Sequence, residues 1–126
     1  MKILVVDDEK DIQTLFVQQF RKEIKSGEIE FSFVYSGEEA LSYLNETVHP
    51  EAILILSDIN MPGMNGLVLL EKVKQKYQTP PPVVMMITAY GDSENYAIAQ
   101  ELGADDFLNK PIDFPGLKSK LKKIVS

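Results

Sequence analysis

Five segments of the chain carry the hydrophobic pattern of β-strands. Three of them are short, unbroken apolar runs, typical of parallel strands covered on both faces, at Ile3–Val6, Ile53–Leu56 and Val83–Ile87. In Glu30–Tyr35 the aromatic side chains alternate with smaller ones, so we place this strand at an edge of the sheet. A short fifth strand is predicted near Asp106–Leu108.

Segments with helical periodicity separate these strands. In the first, apolar residues recur at helical spacing and predict one buried stripe, made of Ile12, Leu15, Phe16, Phe20 and Ile24. The second helix is predicted to begin at Ser36, which would form a capping box with Glu39 because each side chain can accept the other residue's amide.

Three further helices complete the pattern. The third is predicted to end before Pro80, the fourth to stop at Gly103, and the fifth to follow Asp113 as its N-cap. The fifth carries an apolar stripe made of Leu117, Leu121 and Ile124. The order of elements is therefore (βα)5, and right-handed crossovers convert it into an α/β fold with one open, doubly wound parallel sheet.

The composition is that of an ordinary globular protein. The 126 residues suit one domain, which we expect to span residues 1–126. Hydrophobic residues make up 44% of the chain, and no apolar run approaches the roughly 20 residues that span a bilayer. The chain has no cysteine, and its N-terminus turns acidic too early for a signal peptide. We therefore expect a cytoplasmic protein without disulfides or membrane contact.

The charge balance argues against direct nucleic-acid binding. The formal net charge is −6, whereas a nucleic-acid surface needs a basic face. The basic cluster near the C-terminus consists of Lys118, Lys120, Lys122 and Lys123. We interpret it as a solvated last part of the fifth helix, where cations complement the helix dipole, in preference to a nucleic-acid patch.

Four of the five predicted strands deliver a chemically useful side chain to one edge of the sheet. Asp7 and Asp8 follow the first strand, and Asp58 follows the third. Thr88 follows the fourth strand, and Lys110 lies just past the fifth. Ligands of open α/β sheets bind beyond the carboxyl ends of the strands, so the pattern predicts a site at this edge.

Three carboxylates at one edge repel one another unless a cation neutralises them. Oxygen ligands with room for water favour Mg²⁺, whereas Zn²⁺ prefers histidine and cysteine. The single histidine, His49, precedes Pro50 in a predicted loop, and we interpret it as a surface residue. The candidate metal ligands are therefore the three carboxylates.

A divalent metal, an ammonium group and a hydroxyl together suit a phosphoryl group. Phosphoryl transfer depends on positioning and on neutralising the phosphoryl oxygens, which the metal, Lys110 and Thr88 can do. A carboxylate can be the nucleophile and form an aspartyl phosphate. Asp58 is the candidate, because the turn that runs from it to Gly66 would expose its side chain and let a backbone carbonyl reach the metal.

Four segments lie in the order and at the spacing of a known family: Ile3–Glu9, Asp58–Gly66, Ile87–Ala89 and Gly103–Pro111. On these segments the chain resembles the receiver domains of two-component response regulators, the CheY-like family. The resemblance implies a flavodoxin-like three-layer sandwich whose parallel strands follow the order 2-1-3-4-5. It also implies a phosphorylation-activated switch that accepts a phosphoryl group from a histidine kinase or a histidine phosphotransfer protein, in a Mg²⁺-dependent reaction, and then acts on a downstream protein target.

The resemblance implies a role for each acidic residue of the site. Asp58 would be the phosphoacceptor and, with Asp8, would bind Mg²⁺ through its side chain. Asn60 would bind Mg²⁺ through its backbone carbonyl, and Asp7 would act mainly through a metal-bound water. Asn60 would also hold the attacking water, whereas bulky Tyr90 would shield the phosphoryl group. We predict that Tyr90 dominates and that the phosphoryl group is long-lived.

The resemblance also implies how the signal spreads. Lys110 would contact Asp58 and then the phosphoryl group, and Thr88 would donate a hydrogen bond to a phosphoryl oxygen. Phe107 would change rotamer as Thr88 moves, although phenylalanine lacks the hydroxyl of the tyrosine often found there. The peptide bond before Pro111 would be cis. The donor would dock beside the first helix, and the target would contact the face that carries Tyr96 and the lysines of the fifth helix.

Three other functions stay open. An aspartyl-phosphate hydrolase typically has a second aspartate two residues after the nucleophile, where this chain has Asn60, so we expect no enzyme beyond self-phosphorylation and self-dephosphorylation. A flavin-binding domain needs a loop that attracts phosphate after the first strand, but Asp7, Asp8 and Glu9 would repel phosphate without a metal. A partner-binding domain that ignores phosphorylation would not need the complete set of acidic, threonine and lysine residues.

Overall fold

One sheet of five parallel strands, in the order β2-β1-β3-β4-β5, organises the molecule. The computed structural model describes residues 1–78, 80–89 and 91–125. Residue 125 is described for its backbone alone. The strands are β1 (Lys2–Val6), β2 (Glu30–Val34), β3 (Ile53–Asp58), β4 (Val83–Ala89) and β5 (Asp106–Lys110). The helices are α1 (Asp11–Gln19), α2 (Arg21–Lys25), α3 (Gly37–Asn45), α4 (Gly66–Lys76), α5 (Ser93–Glu101) and α6 (Phe114–Val125). The predicted fold class and strand order are confirmed, and β2 lies at an edge as predicted.

Three strands continue further than their apolar runs predicted. Asp58 pairs with Ile87, and Thr88 pairs with Asn109, so Asp58, Thr88 and Lys110 stand within the last residues of their strands. The prediction had placed them after the strands. Because a strand holds its backbone through the sheet hydrogen bonds, these side chains start from fixed positions.

Helices cover both faces of the sheet and form two separate cores. Side chains that alternate along a strand point to opposite faces: in β3, Ile53 and Ile55 join the core beneath α3, α4 and α5. Leu54 and Leu56 join the other core, beneath α1, α2 and α6. Every apolar residue of the run is therefore buried, which explains why β3 lacks polar alternation.

The first predicted helix is two helices in the structure. α1 ends at Gln19 and α2 begins at Arg21, with Phe20 between them at φ −109° and ψ 24°. Phe20 is fully buried, and its ring stacks on that of Phe16 with the ring centroids 6.0 Å apart. The predicted stripe was too wide, because Leu15 is 45% exposed. Packing on the sheet needs a narrower face than the spacing of apolar residues indicated.

The last helix shows the same difference. Leu117 and Leu121 are buried against the sheet, as predicted, but Ile124 is 42% exposed. The predicted N-cap is confirmed, since Asp113 Oδ1 accepts a hydrogen bond from the Gly116 amide at 3.2 Å. Ile124 lies one turn beyond the residues that the sheet covers, so its side chain has less to pack against.

The predicted capping box forms only in part. Ser36 caps α3, and its hydroxyl accepts a hydrogen bond from the Glu39 amide at 3.1 Å. The Glu39 carboxylate, however, accepts from the amide of Tyr35 at 2.7 Å, where the prediction had the amide of Ser36. Ser36 has an extended backbone, with φ −156°, and the preceding amide is the one within reach of Glu39.

The histidine that was predicted to lie on the surface is far from the carboxyl edge. His49 is 75% exposed in its side chain and lies 3.2 Å from Glu51, close to the amino ends of β1 and β3. In the part of the chain that the structure describes, no helix is both long and apolar enough to cross a membrane.

Candidate functional site

Three carboxylates meet at the carboxyl edge of the sheet. β1 and β3 are neighbours, with Val6 beside Ser57, so the residues that follow them come together. Asp7, Asp8 and Asp58 each offer an oxygen atom, and these three atoms lie within 4.8 Å of one another. Asp7 is 1% exposed and Asp58 is 5% exposed, whereas Asp8 is open to solvent. The cluster is thus half inside the protein and reachable from one side.

Lys110 brings a positive charge to this cluster from β5. Its Nζ donates a hydrogen bond to Asp58 Oδ2 at 2.9 Å and lies 3.5 Å from Asp7 Oδ2. Glu9 Oε1 is 3.9 Å away, at the exposed rim. One ammonium group therefore faces more than one carboxylate, and the cluster keeps a net negative charge.

The environment of Asp7 disfavours a lone negative charge. Its Oδ1 accepts a hydrogen bond from the Glu9 amide at 2.9 Å, but its Oδ2 is buried without a hydrogen-bond partner among the described residues. The 3.5 Å contact with Lys110 is an ion pair and too long for a good hydrogen bond. Burial raises the pKa of Asp7 above its usual value, the charge of Asp58 adds to the rise, and the Glu9 amide and Lys110 offset part of it.

The same charges act on Lys110 in the opposite sense. Burial alone would lower the pKa of Lys110, but the hydrogen bond and charge of Asp58, followed by the charges of Asp7 and Glu9, outweigh it and raise that pKa. Lys110 therefore stays protonated at neutral pH and keeps its donor on Asp58.

Thr88 lies beside this cluster, with its hydroxyl turned toward β5. The residue is 3% exposed, and its Oγ1 donates to Asn109 Oδ1 at 3.1 Å. The carbonyl of Leu108 is a second acceptor at 3.5 Å. The threonine that was predicted to bind a phosphoryl oxygen is thus placed near the site but is occupied by β5.

The other residues named from the resemblance lie on both sides of the cluster. Phe107 is half-buried on β5, and its ring centroid is 4.1 Å from that of Tyr96 on α5. The Lys110–Pro111 peptide bond is cis. Asn60 is exposed, and its amide lies 3.4 Å from Asp58 Oδ1. Tyr90, the predicted shield of the phosphoryl group, lies outside the described residues.

The loop after Asp58 is closed at its base by a glycine. The amide of Gly66, the first residue of α4, donates to the carbonyl of Ile59 at 2.8 Å. Gly66 approaches so closely that a Cβ atom there would overlap the backbone carbonyl oxygen of Asp58. The loop therefore leaves β3 and returns to it directly beneath Asp58.

Two residues that the structure places at the site had no predicted role in the phosphoryl-transfer site. Asn109 accepts from Thr88, and Glu9 completes the acidic rim around Lys110. Strand register was the signal for Asn109, because the residue before Lys110 must pair with Thr88 if both strands end together. Nothing in the pattern distinguished Glu9 from an ordinary solvated glutamate.

Comparison with known families agrees with this geometry. The family model for the response regulator receiver domain matches residues 3–122 of the chain. The chain belongs to this receiver family. Receiver domains are phosphorylation-activated switches of two-component signalling that use an acidic pocket. This chain has their fold and carries the cluster of Asp7, Asp8 and Asp58 at the carboxyl edge of the sheet.

Individual relatives place the receiver domain within longer regulators. The transcriptional regulatory protein CpxR of Klebsiella pneumoniae is 35% identical over 125 residues, covering 98% of this chain and 49% of CpxR. The chain thus spans about half the length of the curated relatives it matches. Among solved structures, a response regulator from Chloroflexus aurantiacus is 29% identical with a TM-score of 0.82, covering 98% of this chain and 95% of that one. The receiver domain of NtrX from Brucella abortus is 30% identical with a TM-score of 0.78, covering 96% and 95% of the two chains.

Proposed function

We propose that Asp58 accepts a phosphoryl group from a phosphohistidine and that this modification switches the receiver domain between two states. The observation that carries the proposal is the contact of Asp58 with Lys110 at 2.9 Å inside a cluster of three carboxylates. In this step an oxygen of Asp58 bonds to phosphorus while the phosphorus–nitrogen bond of the donor breaks. The electron pair of that bond stays on the histidine nitrogen.

The donor set of the three-carboxylate cluster fits Mg²⁺. The ligand atoms are all oxygens, Asp8 leaves one side open for water, and Asp7 Oδ2 is a buried oxygen without a hydrogen-bond partner among the described residues. We propose that Asp8 and Asp58 hold the ion through their side chains, Asn60 through its backbone carbonyl, and Asp7 through a water. Mg²⁺ bound there would neutralise the charge on the phosphoryl oxygens.

Lys110 and Thr88 stabilise the negative charge of the reacting groups. Lys110 balances the charge of Asp58 before transfer and can follow the negative charge onto the phosphoryl group afterwards. Thr88 supplies a hydroxyl donor, which must turn away from β5 to reach a phosphoryl oxygen. The added group carries roughly −1.5 to −2 charges, which supplies the attraction for both donors.

We propose that the turning of Thr88 changes the face formed by α5, β5 and α6. Phe107 follows Asp106 on β5 and packs against Tyr96, so a rotamer change of either ring alters the surface of α5. This face would contact the downstream protein target, and the face of α1 would contact the histidine kinase or phosphotransfer protein. The change is a shift between two packings of one fold.

The proposal also covers the extent of the domain, its location and the activities that it lacks. We propose that residues 1–126 act as one cytoplasmic receiver unit without turnover of external phosphate esters. Direct nucleic-acid binding by this unit is not expected, since Lys118 lies 3.2 Å from Glu23 and Lys120 lies 2.9 Å from Asp106. These ion pairs support the interpretation of the basic cluster as part of a folded helix surface.

Intact-mass measurement tests the proposed function. The protein is incubated with Mg²⁺ and acetyl phosphate, and one added phosphoryl group per chain is expected. The Asp58→Asn variant keeps the size and polarity of the side chain and should stay unlabelled. A second control omits Mg²⁺ in the presence of a chelator, where labelling of the wild type should also be lost.

Three results would count against the proposal. Labelling that survives in Asp58→Asn at the wild-type rate would remove Asp58 from the acceptor role. Labelling that is unaffected by the chelator would remove the metal from the reaction. Steady release of phosphate from small esters would instead favour the hydrolase that the sequence left open.

A further inference from the structure

Asn109 stands beside Thr88 where the sheet ends. The two residues are register partners on the adjacent strands β4 and β5. Thr88 Oγ1 lies 3.1 Å from Asn109 Oδ1 and 3.5 Å from the carbonyl of Leu108. A hydroxyl has one proton to donate, and the shorter contact with Asn109 takes it.

This hydrogen bond competes with the use of Thr88 in the proposed function. Binding to a phosphoryl oxygen on Asp58 requires the same proton, so Thr88 cannot serve Asn109 and the phosphoryl group at once. Thr88 is 3% exposed, and little water can take the place of either acceptor. Asn109 is exposed, so its own side chain can return to solvent at small cost when the bond breaks.

We propose that Asn109 is a positioning residue that holds the Thr88 hydroxyl toward β5 in the unphosphorylated protein and thereby sets how readily the switch turns on. The proposal rests on the proposed function of Asp58 and adds a residue to it. In this role Asn109 acts through its hydrogen bond with Thr88. Removing its side-chain acceptor therefore favours the state in which Thr88 faces Asp58.

The expected change is the worth of one ordinary hydrogen bond, about two- to tenfold in the equilibrium between the two positions of Thr88. The Asn109→Leu variant removes the acceptor and keeps nearly the same side-chain size. The probe is beryllium fluoride with Mg²⁺, which adds to an aspartate oxygen as a phosphoryl group does. Calorimetry should show that Asn109→Leu binds this probe about two- to tenfold more tightly than the wild type.

A gain of affinity separates this role from a structural one, because a disturbed fold weakens binding. The matched control is Thr88→Val, which removes the hydroxyl and keeps the shape. In that background Asn109→Leu should change the affinity by less than about twofold, since there is no hydroxyl left to release. In the metal-free protein, three-bond NMR couplings of Thr88 should also report a changed side-chain rotamer in Asn109→Leu.

Three results would overturn the proposal. Equal or weaker binding by Asn109→Leu would show that its hydrogen bond does not restrain Thr88. The same gain in the Thr88→Val background would show that Asn109 acts by another route. A wild-type protein that binds no beryllium fluoride would overturn the proposed function of Asp58 together with this inference, and that outcome is visible before any variant is made.

Discussion

Gly66→Ala tests whether the close approach of α4 to β3 holds Asp58 in place. The added Cβ would overlap the carbonyl oxygen of Asp58 and would lie 2.8 Å from Ile59 Cα and 2.9 Å from the Asp58 carbonyl carbon. All of these are backbone atoms, so a change of side-chain rotamer cannot relieve the contact. Either α4 or the end of β3 has to move.

The cost of this contact can be worked out from known cases. Overpacking a folded protein costs about 1–3 kcal/mol, and we take about 3 kcal/mol because backbone must shift. Alanine in place of glycine in a helix returns about 0.5–1 kcal/mol. The net loss in the free energy of unfolding is about 2 kcal/mol, which corresponds to a fall in Tm of about 8 °C for a chain of this size.

Urea unfolding followed by circular dichroism measures the stability, and intact mass measures the rate of labelling by acetyl phosphate. The matched control is Gly27→Ala, where a Cβ would meet nothing within 4 Å and where φ is +81°. That variant should lose about 1 kcal/mol from its backbone conformation and keep the wild-type labelling rate. The reasoning is refuted if Gly66→Ala loses less stability than Gly27→Ala or labels at the wild-type rate.

Three more predictions follow from other contacts. Asp7→Asn should raise the Tm of the metal-free protein, because burial disfavours the charge of Asp7. The same variant should weaken Mg²⁺ binding about ten- to a hundredfold in a titration. A lower Tm of the metal-free variant would contradict this reasoning. Burial opposes ionisation of Asp106, but the hydrogen bonds from Lys120 and the Phe107 amide, together with the charges of Lys120 and Lys123, outweigh it and lower the pKa of Asp106 below its usual value. The stability advantage over Asp106→Asn should therefore be constant above about pH 5 and shrink at lower pH, staying under about 1 kcal/mol. Urea titrations at each pH check this, and an advantage that grew toward acid would have the wrong sign. Gly37→Ala should slow labelling of Asp58, since its Cβ would come within 2.9 Å of the Met64 side chain in the loop between β3 and α4. Adding Met64→Ala should restore the labelling rate. A double variant as slow as Gly37→Ala would exclude this contact as the cause.

Much of the fold could be predicted because its signal lies in local sequence. The run Ile53–Leu56 is apolar at every position, and this follows from burial on both faces of the sheet. Helix starts were predictable where a short polar side chain precedes the first turn, as at Asp113. The failures concern how far packing extends: Leu15 and Ile124 satisfy the helical period but lie beyond the surface that the sheet covers.

The candidate site divides in the same way. Residue types and the predicted strand ends sufficed to predict that Asp7, Asp8, Asp58 and Lys110 meet at one edge of the sheet. The reason is that the carboxyl ends of parallel strands lie on the same side. The hydrogen bond from Thr88 to Asn109 could not be predicted from either residue alone, since it depends on the register between β4 and β5. The partner of Glu39 was also decided by backbone geometry, which placed the amide of Tyr35 within its reach.

The sequence by itself determined the order of strands and helices, the identity of the acidic, hydroxyl and ammonium groups, and the edge at which they collect. Hydrophobic periodicity and residue chemistry are local properties of the sequence, so they can be recognised without knowing the fold. The family resemblance implied that Lys110 contacts Asp58, and the structure confirms it. Only the tertiary structure decided that one oxygen of Asp7 is buried without a hydrogen-bond partner in the described part of the chain, and that Thr88 faces β5. These facts depend on contacts between segments that are distant along the chain, which only the packed sheet defines.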